Sequence, residues 1–144
     1  MNALVVDASI AVKWFLPEEH AAAARRVLTG RRELIAPDLL WAEVGNVLWK
    51  KVSRREITRD AARGILHDVQ RFPLQTYAAK TLLDAAWDLA NRLKITVYDG
   101  LYLALAVNRD CTLVTADRSL YTAIKRGSLA STVTWVESFG SSDG

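Results

Sequence analysis

Short apolar runs alternate along this chain with longer stretches of helical period, and that alternation sets the expected fold. Ala3-Leu4-Val5-Val6 is a short apolar run that closes at Asp7, as a buried strand would. Residues 8–15 then suit a helix stopped by Pro17. Residues 18–28 are alanine-rich and helical, with Gly30 ending them. Leu34-Ile35-Ala36 reads as a second strand, after which Pro37 and Asp38 open a helix to about Val52. Thr58 is a candidate N-cap for a helix to about Phe72. Leu74-Gln75-Thr76 has strand character, and residues 81–93 form a strongly patterned helix. Asp99 opens another helix through Asn108, residues 112–115 form a strand, 119–125 a helix and 133–136 a last strand. Strands alternating with helices predict an α/β fold with a mainly parallel sheet covered on both faces.

Composition narrows this to one compact unit. The 144 residues, half of them hydrophobic, suffice for one core; we take residues 1–139 as a single domain and 140–144 as a flexible tail. A single cysteine, Cys111, excludes an internal disulfide and suits a reducing cytoplasm. No leader and no membrane-length apolar run is visible, so the expectation is a soluble cytoplasmic protein. Net charge is +3, and the excess of basic residues falls in the first half, in Arg25-Arg26, Arg31-Arg32, Lys50-Lys51 and Arg54-Arg55. Such pairs can hold phosphates by charge, or can simply be solvated helix ends.

The candidate chemistry lies in four scattered acids. Ligands of open parallel sheets bind beyond the carboxyl ends of strands. Asp7 directly follows the first strand, and Asp117 lies two residues beyond the strand at 112–115. Glu43 belongs to a nearly all-apolar helix whose polar stripe is Glu43, Asn46 and Lys50; that stripe faces either a cleft or solvent. Asp99 is the lone charge at the start of another apolar helix. Structural alternatives exist for each: N-caps for Asp7 and Asp99, an Asx-turn for Asp117. Together they suggest a carboxylate cluster without His or Cys, which favours Mg2+, or Mn2+ as the alternative, over Zn2+. Ionised carboxylates crowd together only around a cation, and that cation can orient water toward a phosphodiester.

These residues fall in blocks that resemble the PIN domain and, more narrowly, VapC toxins of type II toxin–antitoxin modules. The blocks are Val5-Val6-Asp7-Ala8-Ser9 with Lys13-Trp14-Phe15, then Pro37-Asp38-Leu39-Leu40-Trp41-Ala42-Glu43-Val44, then Tyr98-Asp99-Gly100-Leu101-Tyr102-Leu103-Ala104-Leu105-Ala106, then Leu113-Val114-Thr115-Ala116-Asp117. Their order and spacing match over nearly the whole chain. The resemblance implies a three-layer α/β/α sandwich with about five strands, and an endoribonuclease dependent on Mg2+ or Mn2+. It implies that Asp7, Glu43, Asp99 and Asp117 are catalytic metal ligands, with Ser9 and Thr115 as accessory hydroxyls. Asn46, one turn after Glu43, is added as an accessory contact. The family further implies an RNA substrate, a homodimer, and a VapB-like antitoxin that blocks the site. Gly100 departs from the family, where Ala or a bulkier residue is usual, and should loosen the helix start slightly.

Other features have plainer readings. Trp14, Trp41 and Trp49 could line a dimer or antitoxin surface, with Trp41 and Trp49 the better candidates; core packing is the alternative. His20 and His67 read as surface or packing residues, and Glu18 and Glu19 as serving the start of their helix. Two rival functions are a catalytically inactive RNA- or partner-binding module and a phosphatase with Asp7 as nucleophile. The second lacks an acid at Ser9.

Overall fold

The computed structural model describes residues 2–140. Five strands form one sheet: β1 (Ala3–Val6), β2 (Glu33–Pro37), β3 (Gln75–Tyr77), β4 (Thr112–Thr115) and β5 (Val133–Trp135). Their order is β3-β2-β1-β4-β5, and every neighbouring pair is parallel. The helices are α1 (Ala8–Lys13), α2 (Ala21–Arg26), α3 (Leu39–Ser53), α4 (Arg59–Gln70), α5 (Ala79–Leu93), α6 (Val97–Asn108) and α7 (Arg118–Lys125). Right-handed crossovers put α1 to α4 on one face of the sheet and α5 to α7 on the other. The α/β/α sandwich and its five-stranded parallel sheet agree with expectation. The expected tail lies largely outside the described residues.

Local chemistry explains the element ends. Asp7 caps α1 by accepting from the Ile10 amide, Thr58 caps α4 through Ala61, and Asp117 caps α7 through Leu120. Two boundaries differ from the sequence reading. Pro37 ends β2 and is buried, so the α3 helix begins at Leu39. Helix α2 begins only at Ala21, because the preceding residues serve another purpose: Glu18 bridges Lys13 and Lys51 at 2.9 and 3.0 Å. Glu18 thus ties α1 to α3 rather than starting its own helix.

The core runs along both faces of the sheet, with Val5, Val6, Ile35, Leu113 and Val114 buried at its centre. Helix α6 is sunk deepest, with every residue from 100 to 106 buried, because it packs on α5 and against β1, β2 and β4. Gly100 lets α5 and α6 meet: a Cβ there would sit 2.6 Å from the Ala86 carbonyl oxygen. Gly100 is therefore a close-packing residue, which corrects the expectation that it merely loosens the helix start. Trp14 and Trp135 are core residues, Trp14 stacking on Phe72; Trp49 and Trp87 are 64% and 61% exposed.

Candidate active site

Strand order creates the site. Because β1 lies beside β4, with Val6 paired to Val114, Asp7 emerges next to Thr115 at the carboxyl edge of the sheet. The buried Asp7 carboxylate accepts hydrogen bonds from the Ser9 and Thr115 hydroxyls, each at 2.5 Å, and from the Ile10 amide at 3.2 Å. Ser9 Oγ accepts in turn from the Ala116 amide, and Thr115 Oγ1 from the Asp117 amide, both at 3.0 Å. The network locks the end of β1 to the end of β4. Burial nevertheless pushes the Asp7 carboxyl up to about 6; the hydrogen bonds pull it down, and the Asp117 charge adds to the rise.

Asp99 reaches the same edge from the opposite helical layer. It does not cap α6, as one sequence reading allowed: Thr96 is the N-cap and accepts from the Asp99 amide at 3.0 Å. The Asp99 carboxylate stands two residues inside the helix. Burial pushes it to about 6, with the charges of Asp117 and Glu43 adding to the rise and a hydrogen bond with the Thr96 side chain pulling it down. Asp117 is exposed, caps α7, and accepts from the Leu120 amide at 3.2 Å.

The orientation of Glu43, left open by its own helix, is settled by Tyr102. The Tyr102 hydroxyl, on α6 one turn past Asp99, donates to Glu43 Oε1 at 2.6 Å. Tyr102 is 1% exposed, and burial, then the Glu43 charge, hold its phenol protonated well above the ordinary range. Glu43 thus turns toward the other acids, not to open solvent. Asn46 is exposed, and its side chain makes no hydrogen bond within the described residues.

The four carboxylates form a chain of like charges in which Asp117 acts on both Asp7 and Asp99, and Glu43 on Asp99. Among the described residues no three His, Cys, Asp or Glu side chains close into a ready cage. The donor set still fits a hard divalent cation. It is all oxygen, and two members hold protons up to about pH 6 because nothing positive offsets their burial.

Beside Asp99 and Asp117 opens a cleft of about 490 Å³, whose rim carries Arg92, Lys94 and Arg126. The sequence reading looked for cations in the first half and missed these three. Tyr102 was also missed, although its place three residues after Asp99 put it on the same helical face. The basic pairs of the first half are partly spent elsewhere: Arg26 pairs with Glu137, and Lys51 with Glu18 and Glu56.

A family model described as the PIN domain matches residues 4–125, a span that includes all four acids. The chain belongs to the PIN-domain family. Among PIN-domain proteins it is similar to Ribonuclease VapC3 of Pyrobaculum aerophilum, 37% identical over 119 residues covering 81% of this chain and 91% of the relative. Ribonuclease VapC1 of Mycobacterium tuberculosis is 35% identical over 124 residues, 85% of this chain and 92% of that one. The crystal structure of PAE2754 from Pyrobaculum aerophilum superposes with a TM-score of 0.68 at 26% identity, over 94% of this chain and 84% of that one. Mycobacterium tuberculosis VapC20, described as a sarcin-ricin loop cleaving toxin, superposes at a TM-score of 0.65 over 84% and 95% of the chains. At 14% identity that likeness concerns the fold of the PIN domain alone.

Proposed function

We propose that this PIN domain is a metal-dependent endoribonuclease, the toxin of a VapBC-like module. The observation that carries the reading is one connected set of carboxylates in which the buried Asp7 and the half-buried Asp99 are each pushed up to about 6. Holding such groups together at neutral pH costs stability unless a cation enters. The similarity to VapC ribonucleases supplies the substrate class.

Asp7, Glu43, Asp99 and Asp117 would hold Mg2+ or Mn2+. When bound, the ion would polarise the phosphodiester and lower the pKa of an attacking water. The chain's own residues do the positioning. Ser9 and Thr115 fix the Asp7 carboxylate by donating to both its oxygens, and Tyr102 fixes Glu43. Asp117, anchored on the Leu120 amide, links Asp7 to Asp99. A VapB-like antitoxin, a homodimer and cytoplasmic residence belong to the same reading. Among the described residues no helix is long and apolar enough to cross a membrane.

The test is digestion of total RNA with and without Mg2+ or Mn2+, followed by sequencing of the new ends. Cleavage should require the metal and vanish in Asp7→Asn and Asp99→Asn. Cleavage that persists in EDTA overturns the metal role. Absence of cleavage in either metal favours an inactive RNA- or partner-binding module.

A further inference from the structure

The cleft beside Asp99 and Asp117 has a lining of mixed chemistry. Besides those acids it carries Arg92 from the last turn of α5, Lys94 from the α5–α6 turn and Arg126 at the end of α7. None of the three cations lies within ion-pair distance of an acid among the described residues, although acids line the same cleft. Lys94 adopts a left-handed backbone, φ 58°, with its residue committed to closing α5 at this rim. Apolar side chains also line it, among them Ile95, Leu120 and Ala123. The volume, about 490 Å³, is within the range of small-ligand pockets. Cations without an acidic partner, apolar side chains and acids lining one cleft match a nucleotide: phosphate, base and neighbouring reactive linkage.

We propose that this cleft seats one nucleotide of the RNA strand next to the cleaved bond, its phosphate held by Arg92, Lys94 and Arg126. The inference rests on the ribonuclease reading and adds which face the strand crosses: the gap between α7 and the α5–α6 turn. The three cations are positioning residues. They hold substrate without touching the cleaved bond.

The experiment measures binding of a fluorescein-labelled, mixed-sequence single-stranded RNA in EDTA, across a salt series. The triple variant Arg92→Gln, Lys94→Gln, Arg126→Gln is compared with Arg25→Gln, Arg31→Gln, Arg54→Gln. The second set removes equal charge from exposed sites away from the cleft. Each phosphate contact on a single strand contributes about 0.7 to the slope of log K against log salt, so the cleft variant, which releases one phosphate, should lose about 0.7 from its slope. The control should keep the wild-type slope. Ala123→Phe, which fills the cleft without changing charge, should weaken binding while leaving the slope unchanged. In cleavage of total RNA, the cleft variant should raise KM and leave kcat near wild type. Equal slope changes in both triples, or none in the cleft variant, would overturn the proposal. If the slope behaves as expected but wild-type protein cleaves no RNA in Mg2+ or Mn2+, the subsite stands and the ribonuclease reading fails.

Discussion

At the scale of single residues, Asp7 sets the pH behaviour. Its carboxyl titrates near 6 in the fold against 3.8 unfolded, so the folded state binds the extra proton between those values. Stability then falls as pH rises from about 4 to 6, and above that the full penalty stands, on the order of 3 kcal/mol. Asp7→Asn should therefore raise the melting temperature of metal-free protein at pH 7 while abolishing cleavage. A melting curve taken in EDTA checks it; an unchanged or lower midpoint would count against this account of the site. Thr115→Val makes the complementary case. It removes a donor from a buried carboxylate, at a cost of about 1–3 kcal/mol, and should push the Asp7 carboxyl higher still. The acid limb of the cleavage profile should move to higher pH, with activity down about 10–100-fold as for other partners that orient metal ligands.

At the scale of elements, α5 and α6 meet closely at Gly100. Gly100→Ala places a methyl 2.6 Å from a backbone carbonyl, which no side-chain rotation relieves. The helices must separate, at about 1–3 kcal/mol, and Asp99 moves with the start of α6. Calorimetry should find a lower melting temperature, and metal affinity should weaken in parallel. Tyr102→Phe probes the link from α6 to α3. Losing the hydroxyl frees Glu43 to rotate outward, so metal affinity and activity should drop about 10–100-fold. Isothermal titration with Mn2+ reads this directly; unchanged affinity would remove Glu43 from the ligand set.

At the scale of the whole molecule, the proposed ion would couple metal binding to folding through the carboxylate chain. An ion that binds only the folded state, at about 100 times its dissociation constant, adds about 2.7 kcal/mol of stability. Wild-type protein should melt higher in Mg2+ or Mn2+ at pH 7, and the increment should disappear in Asp7→Asn. Much of this architecture is already legible along the chain. The apolar runs before Asp7 and Asp117 mark strands by composition, and the Tyr98 to Ala106 block marks a buried helix because its apolar residues leave no solvent face. Those are local properties, set by periodicity and caps. What the folded arrangement alone decides is non-local: β1 beside β4 brings Ser9 and Thr115 onto the two oxygens of Asp7. The partner of Glu43 lies 59 residues away, on another helix. Arg92, Lys94 and Arg126 look like ordinary helix-end charges until the fold brings the ends of α5 and α7 to one cleft. Residue types and local period determined which elements form and where the acids sit on them; only the long-range pairing of those elements decided which acids share a site and which cations face it.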